Sequence, residues 1–513
     1  MFERIAARFA AGAGALTVMA ALLLSLPNTS QAETLLSLDQ AIEIALEKGY
    51  EMKSHKLSLF QAEQNRLAAK YRFRTNVNLN MEAPRWAENM QEVPVPNGLP
   101  VYNSRGTKRF QGMLDIRQPL PTDGYLSFRS RLYESRESNY FADTENTIKR
   151  KDFLTSFSIW FNQPLFTFNR IKTNLKRAEL NYERQSLTLK RNELDVVYSV
   201  TNAFFSLYHA TRSYEIAGET QAQQQLQYDT AKMKYEAGLI PEVEALRLEV
   251  DLATANSDFE EVRASLEREK ESFRKLIGLS IDANAGVSTD TNYDSFEVAL
   301  EEAIRIGLNN RTELREQEIN IELSKLSIKE IDAQSEVKAN FSAYYDLTGR
   351  SDPDLMYNTG SRDLFDSSID DLERRPGNRG VTFTVDIPIW DWGVNKSEVA
   401  SAKAELRRAE LQKDEGRKDI ITSIRDAVRQ LKSTENRLKV LEKSQVVAQR
   451  TYDISLERFN NGEITSLDLA QDNKSLSSTK MSYLSSYIQY RLAVADLKRK
   501  TLYDFEAGKE LFE

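Results

Sequence analysis

Few side chains in this chain of 513 residues could take part in covalent or redox chemistry. The absence of cysteine excludes a disulfide framework, thiolate catalysis and a lipid on an N-terminal cysteine. Histidine occurs only at His55 and His209. No carboxylate pair, histidine cluster, nucleophile or phosphate-binding loop stands in a recognisable arrangement. The sequence therefore predicts neither an enzyme nor a cofactor or metal site.

The composition favours extended helices over a single globular core. Charged residues make up 28% of the chain, and mean hydropathy is -0.53. The formal net charge is -8, with both signs interspersed along the chain. Because phosphate binding needs a concentrated basic face, a nucleic-acid partner is not expected.

Residues 1–32 are predicted to be a signal peptide. Arg4 and Arg8 precede an apolar stretch from Phe9 to Leu26, and Ser30-Gln31-Ala32 offers a small-x-small cleavage site. A membrane anchor is the alternative, but glycines dilute the stretch and the cleavage site follows directly. The mature chain would begin near Glu33. No other segment approaches ~20 uninterrupted apolar residues, so no membrane-spanning helix is expected in the mature chain.

The stretch from Phe153 to Leu279 occurs twice. An offset of 224 residues, the difference between Pro164 and Pro388, also places Gly238 on Gly462 without any gap. A single insertion inside long helices would rotate every later core residue off its face. The ungapped register therefore predicts two copies packed with one geometry.

Each proline is followed by a very long helical pattern. Ile171 to Ala237 would span roughly 100 Å as an unbroken helix. After the glycine, the returning helix carries apolar residues at heptad spacing, including Leu252, Phe259, Leu266 and Phe273. The pattern predicts antiparallel coiled coils.

The segments between the helices read as strands. Asn76–Met81 and Thr382–Ile387 alternate polar and apolar residues. A soluble sandwich and a membrane barrel with a watery lumen both fit this alternation. Aromatics near the strand ends favour the barrel, because they are typical of an interfacial girdle: Trp160, Phe161, Phe166, Phe168, Trp390 and Trp392.

The first half of the chain is longer than the second. A helical passage from Leu38 to about Arg72 recurs from Leu300, an offset that exceeds the later one by 38 residues. The surplus predicts an extra hairpin, Phe110–Arg117 with Tyr125–Tyr133, turned through Asp123-Gly124. The segments 93–106 and 351–380 are predicted to be exposed loops.

Together these features resemble the TolC family of outer-membrane efflux channels over essentially the whole mature chain. The motifs Tyr235-x-x-Gly238 and Phe459-x-x-Gly462 stand at the two hairpin ends. The resemblance implies a mainly α fold with a β-barrel portion. A homotrimer would share a twelve-stranded barrel, four strands per protomer, above a helical periplasmic tunnel. Four strands cannot close alone, which agrees with oligomerisation. The extra hairpin departs from this pattern.

The resemblance also assigns roles to the hairpin ends, which are otherwise ordinary capped turns. The implied contacts with a periplasmic adaptor (membrane fusion) protein are Tyr235, Gly238, Leu239, Ile240, Phe459, Gly462 and Ile464. Asp468 falls where the family places an acidic ring at the pore constriction. The second ring position falls on Gln471, with Asp472 beside it, so one ring is expected and a second is left open.

The expected organisation is a signal peptide (1–32), two structural repeats (33–290 and 291–505) and a short tail (506–513). The expected function is the outer-membrane channel of a tripartite efflux or type I secretion system, a passive duct in outer-membrane lipid. An inner-membrane RND or ABC transporter and the adaptor would deliver its cargo. The alternative is an exported trimeric coiled-coil scaffold or adhesin without a pore, which would not explain two strand regions with a polar face.

Overall fold

The computed structural model describes residues 34–511 except 97, 281–282, 284, 289–292, 294 and 354–357. The predicted signal peptide and the start of the mature chain at Glu33 lie outside the described residues. The chain forms two compact units. We call Ser54–Asn192 with Ile304–Ile424 the sheet unit, and the segments up to Lys53, Glu193–Ala303 and from Arg425 onward the helical unit.

Long helices and one large sheet account for most of the described residues. The helices are α1 (Leu38–Lys48), α2 (Tyr50–Tyr71), α3 (Arg170–Glu236), α4 (Glu242–Ile277), α5 (Leu300–Asn310), α6 (Thr312–Asp332), α7 (Ser361–Arg374), α8 (Val394–Asn460) and α9 (Ser466–Thr501). The strands are β1 (Thr34–Leu36), β2 (Asn76–Val93), β3 (Val101–Pro119), β4 (Tyr125–Phe141), β5 (Asn146–Leu165), β6 (Ala285–Val287), β7 (Lys338–Arg350), β8 (Asn378–Asp386), β9 (Tyr503–Asp504) and β10 (Lys509–Glu510).

The element bounds reproduce the duplication. Helices α3 and α8 both have 67 residues, and α4 and α9 both have 36. Helices α8 and α9 begin 224 positions after α3 and α4, as Arg170 and Val394 show for the first pair. The predicted long helix from Ile171 to Ala237 is confirmed to within one residue at each end. Both compact units draw residues from both repeats, so the repeats are not the compact units, and their boundaries stay a prediction.

The first helical passage is two helices rather than one. Helix α1 begins with a capping box between Ser37 and Gln40 and ends at Gly49, whose N–H donates to the carbonyl of Ala45 at 2.9 Å. Helix α2 then starts at Tyr50. No helix in the described part of the chain is long and apolar enough to cross a membrane.

The core of the helical unit is rich in aromatic rings. Phe204, Phe205 and Phe273 are at most 1% exposed, and Phe204 meets the other two rings edge to face at 5.5 and 6.3 Å. Tyr487 packs against Phe205 at 6.2 Å. The parallel pair of β1 and β6 contributes to the same cluster. Burial of such side chains stabilises the fold by roughly 1.5–3 kcal/mol each.

The antiparallel helical hairpin is confirmed within the helical unit. Tyr214 of α3 lies 5.0 Å from the ring of Phe259 in α4, and Gln221 donates to Asn256 at 2.7 Å. The residue number of the contact increases along α3 while it decreases along α4, as antiparallel pairing requires. The heptad residues Leu266 and Phe273 are buried.

The sheet unit holds six antiparallel strands in the order β2-β3-β4-β5-β7-β8. The predicted extra hairpin is present as β3–β4 and is inserted between β2 and β5 along nearly its whole length. The family pattern implied four strands per protomer and the extra hairpin left that number open; the sheet of this chain has six. The inserted strands satisfy their backbone groups on both sides, so they belong to the sheet.

Both predicted loops contain regular structure. Residues 101–106 belong to β3, where Ser104 pairs with Met90 on one side and Tyr140 on the other. The acidic segment 351–380 contains α7, which packs on β5 and β7. Its Ser368 is fully buried and shares a 2.8 Å hydrogen bond with Thr155, and Phe365 meets Phe153 edge to face at 5.4 Å. Pairing and packing outweigh the polar composition of both segments.

Candidate pore wall and hairpin ends

The two faces of the six-stranded sheet differ in polarity. Residues directly opposite each other in paired strands share a face, and in β3 and β4 the even-numbered residues lie on the apolar one. The row through Leu79 contains Leu114, Ser130, Phe157 and Leu347. Neighbouring positions on this face are Val77, Met81, Ile116, Phe128, Ile159, Tyr345, Val381, Phe383 and Val385. Leu79, Met81 and Val381 are 67, 72 and 69% exposed, so this face is open there in one protomer, whereas α7 covers it around Phe153 and Thr155.

The exposed apolar residues form a band across the sheet, from Val77–Met81 in β2 to Val381–Val385 in β8. The position of this band along the strand axis changes between the two edges of the sheet. In β8 it is centred on Phe383, which pairs with Phe341, whereas the row through Leu79 in β2 reaches Leu347. Phe341 and Leu347 are six residues apart, about 20 Å, while the edge strands of the six-stranded sheet are separated by about 24 Å. The band runs parallel to the membrane plane only if the strands tilt by about 40° from the barrel axis, the tilt typical of transmembrane barrels.

The strands of the first copy are longer than a membrane requires. β2 to β5 have 18, 19, 17 and 20 residues, whereas about 9–11 tilted residues span a bilayer. The apolar face gives way to a cross-strand row of Lys108, Arg136 and Lys151. The segments beyond this row are polar on both faces and suit water.

The predicted interfacial aromatics fall into two groups. Phe166, Trp390 and Trp392 are 76, 74 and 87% exposed just beyond the helix-side ends of β5 and β8, and Phe168 is half-buried beside them. Trp160 instead lies on the polar face, stacked on Tyr344 at 4.9 Å. The sequence already contained this information: Trp160 directly precedes Phe161, and neighbouring residues of a strand point to opposite faces of the sheet.

Both helical hairpins turn through a left-handed glycine. Gly238 has φ +71° and Gly462 has φ +78°. The Gly238 N–H donates to Tyr235 at 2.8 Å, and the Gly462 N–H donates to Phe459 at 3.0 Å. The same hydrogen bonds therefore close both turns.

The predicted adaptor contacts differ in their exposure. Tyr235 and Leu239 are 40 and 73% exposed, whereas Ile240 and Ile464 are half-buried. Phe459 is only 7% exposed, and the Lys234 ammonium lies 4.3 Å from its ring centre. The two turns therefore touch each other, and Phe459 contributes to their packing rather than to the free surface.

Asp468 stands in a capping box at the start of α9. Its carboxylate accepts hydrogen bonds from the Thr465 hydroxyl at 2.7 Å and the Thr465 N–H at 3.1 Å. These bonds hold the pKa of Asp468 below its usual value. The side chain is exposed, so it both caps the helix and presents a charge at the surface.

The neighbouring polar residues point in different directions. Gln471 is exposed, but Asp472 is half-buried and accepts a 2.6 Å hydrogen bond from Ser455, which ties α9 to α8. Sequence spacing alone did not separate Asp472 from the surface residues. On one protomer, the structure leaves Asp468 and Gln471 as the outward polar groups of this turn.

Comparison with known proteins agrees with this architecture. The family model for the outer membrane efflux protein matches residues 135–279 and 304–501, more than half of the chain. A search of curated proteins with this chain found no match. The resemblance drawn from the sequence is confirmed by the family match.

Solved structures share the fold at low identity. The CmeC outer membrane channel of Campylobacter jejuni is 12% identical with a TM-score of 0.67, covering 93% of this chain and 87% of that one. VceC from Vibrio cholerae is 13% identical with a TM-score of 0.62, covering 90 and 95%. MtrE of Neisseria gonorrhoeae, solved in its open state, is 14% identical with a TM-score of 0.61, covering 90 and 88%. This chain belongs to the outer membrane efflux protein family and is an outer-membrane channel of the tripartite efflux type, with helices that extend into the periplasm.

Proposed function

We propose that the protein is a passive exit duct formed by three protomers, whose six-stranded sheets close into one barrel of eighteen strands. The observation that carries the proposal is the drifting apolar band, which fits a level membrane only for strands tilted about 40°. Family channels are trimers that work with adaptors and inner-membrane transporters, which supports the same assembly here.

The edges of the sheet require partners. β2 and β8 each have one free edge, and open edges are not tolerated in lipid. β2 and β8 run in opposite directions, so β8 of one protomer fits antiparallel beside β2 of the next. Such head-to-tail contacts close into a ring under threefold symmetry. Six strands also fall short of the roughly eight needed for a single-chain barrel.

Eighteen strands change the size of the membrane pore. With a strand spacing of ~4.8 Å and a tilt of ~40°, the barrel radius would be about 18 Å, against about 12 Å for the twelve strands implied by the family resemblance. The additional strands are those of the β3–β4 hairpin. The duct in the outer membrane would therefore be wider than expected from the sequence.

The hairpin turns are proposed as the adaptor-binding end. Tyr235 and Leu239 provide exposed apolar groups there, and Gly238 and Gly462 set their position. In a threefold ring, Asp468 and Gln471 would lie near the narrow end of the tunnel. The energy for transport would come from an inner-membrane RND or ABC transporter, because this sequence carries no phosphate-binding loop. Phe166, Trp390 and Trp392 are proposed to lie at the membrane interface.

Cysteine crosslinking tests the barrel, since the natural sequence is free of cysteine. Asn78→Cys in β2 combined with Thr382→Cys or Thr384→Cys in β8 places one thiol at each free edge on the polar face. Oxidation in outer membranes should give covalent dimers and trimers.

The matched control is Asp115→Cys with the same β8 position, because Asp115 is one strand further from the edge. It should give far less crosslinking. Crosslinks only within single protomers, or a monomer by native mass measurement in detergent, would contradict the trimeric barrel.

A further inference from the structure

We propose that the inserted β3–β4 hairpin forms an arginine-lined binding surface in the pore for anionic solutes that carry carboxylate or phosphate groups. The proposal rests on the barrel described above, in which the polar face of the sheet lines the pore. It assigns a preference for anions to the two strands, β3 and β4, that this chain has in addition to the four of the family pattern.

Five arginines share the polar face of the hairpin. In β3 and β4 this face is made by odd-numbered residues, which pair directly across the two strands. The arginines are Arg105, Arg109, Arg117, Arg129 and Arg131, and the acids on the same face are Asp115 and Glu137. Each hairpin therefore carries an excess of three positive charges on its pore face.

The two acids on this face pair with only two of the five arginines, Arg105 and Arg129. Arg105 is bound to Glu137 at 3.0 Å. Asp115 accepts a 2.7 Å hydrogen bond from the Ser127 hydroxyl, and its closest approach to Arg129 Nε is 3.8 Å, too long for a hydrogen bond. Among the described residues, Arg109, Arg117 and Arg131 therefore have no acid partner, and Arg129 has only a long ion pair with Asp115.

Acids on the flanking strands are already paired with other cations. Glu82 of β2 lies 3.6 Å from Arg85. Asp152 of β5 lies 3.0 Å from Arg150 and 3.2 Å from Arg350. The positions of β2 and β5 that are in register with Arg129 are Asn78, through Asp115, and Ser158, which carry no charge.

The arginine donors are held ready for an acceptor. The Nε atoms of Arg109, Arg129 and Arg131 are shielded from water and have no hydrogen-bond partner. The guanidinium of Arg109 lies 5.5 Å from the ring centre of Tyr133, and that of Arg117 lies 4.3 Å from Tyr125. Stacking fixes the planar groups without removing their charge. Because these Nε atoms are shielded, an anion in the pore would instead meet the outer part of the guanidinium groups, and the Arg129 side chain is 31% exposed.

The depth of Arg129 and Arg131 places these two arginines inside the membrane part of the pore. Arg129 and Arg131 alternate with Phe128 and Leu132 of the apolar band on the same strand. Low-dielectric walls strengthen the field of such a charged ring and raise the local concentration of anions. Three copies would form a positive zone at the outer end of the duct, opposite in sign to Asp468.

The test uses purified channel in planar bilayers with inorganic tripolyphosphate as the probe. Added on the barrel side, the probe should block the wild-type current. The triple variant Arg109→Gln, Arg129→Gln, Arg131→Gln should need about tenfold more probe for the same block, because charged bidentate contacts are lost. Its reversal potential in a KCl gradient should also shift toward cation preference.

A matched control removes positive charge from the other face of the same hairpin. Lys108→Gln with Arg136→Gln changes two even-numbered residues of the apolar side. This variant should keep the wild-type block and selectivity. Equal effects in both variants would overturn the pore-face assignment, because they would show a diffuse charge effect.

A milder variant protects the test against misfolding. Arg129→Lys with Arg131→Lys keeps the charge but loses the planar fork, and it should weaken the block while retaining ion selectivity. Unchanged block in the triple variant, with normal conductance, would overturn the proposal but leave the channel function intact. A wild-type protein that forms no pores would contradict the barrel itself and, with it, the binding surface.

Discussion

Substitution of Gly462 separates backbone strain from loss of packing at the hairpin end. Gly462 has φ +78°, and a Cβ added there would meet no atom within 4 Å. The cost of Gly462→Val is therefore almost entirely the left-handed backbone, about 1–2 kcal/mol for a residue with a side chain. That cost multiplies the population of locally open hairpin by roughly 5–30-fold. Gly462→Asn should cost less, because asparagine tolerates this conformation better.

Hydrogen–deuterium exchange with mass spectrometry measures this opening directly. Peptides covering 455–470 should exchange faster in Gly462→Val by a factor within that range, while peptides from β3 and β4 stay unchanged. The control is Gly416→Ala inside α8, where the added Cβ also meets nothing within 4 Å and the backbone is helical. It should stabilise the helix by about 0.5–1 kcal/mol.

An unchanged exchange rate at 455–470 in Gly462→Val would refute the reasoning. It would mean that the turn adopts another conformation in the assembled protein. Capture of the adaptor by crosslinking should fall in Gly462→Val and in Gly238→Val if the hairpin ends form the docking site. Wild-type capture with accelerated exchange would reduce the turns to simple connections.

Two further predictions concern charge and packing. Asp468→Asn should lower cation selectivity and weaken block by polyvalent cations in single-channel recordings, and Asp468→Lys should shift the preference toward anions; unchanged recordings would remove Asp468 from the pore. Hydrogen bonds from Thr465 lower the pKa of Asp468. The negative charge and the helix cap should therefore persist as pH falls through the ordinary aspartate range and be lost only below it. Channel recordings and hydrogen exchange across acidic pH would check this trend. Phe204→Ala should destabilise the helical unit by about 3–5 kcal/mol in thermal or proteolytic unfolding, whereas Phe166→Ala, 76% exposed, should change stability little.

The long helices were predictable because their signals are local and repeated. The proline before each helix, the heptad residues and the glycine after it fixed the bounds of α3 and α8 to within a residue. Because the two copies share one register, both predict a long helix of the same length and position. Errors inside such a helix would have rotated the whole apolar stripe off its face.

The strand number was harder to predict because pairing is not local. The alternation of Phe110–Arg117 predicted a hairpin, but only the register with β2 and β5 shows that it is part of the wall. The polar run 101–106 is a strand because neighbours satisfy it on both sides, which composition does not reveal. Helix α7 was missed for a similar reason, since its buried face includes Ser368 as well as Leu364.

The site residues divide along the same line. Glycine is the usual residue at a helix stop, which made Gly238 and Gly462 readable as the hairpin ends, and both adopt the left-handed conformation. The capping box between Thr465 and Asp468 is a local feature of the chain, whereas the inward turn of Asp472 toward Ser455 depends on packing between two helices. Trp160 shows that residue type suggested an interfacial role, whereas strand parity determined its face.

The unequal strand lengths shape the outer mouth of the proposed channel. β2 to β5 continue well past the apolar band, whereas β7 ends at Arg350, opposite Leu154, and β8 begins at Asn378. In a ring of three protomers, four tall strands would alternate with two short ones, giving a crown with three walls and three notches, each flanked by the α7 helix that packs on β5 and β7. Cargo could leave through the notches as well as straight upward, at a height where it clears the lipid surface.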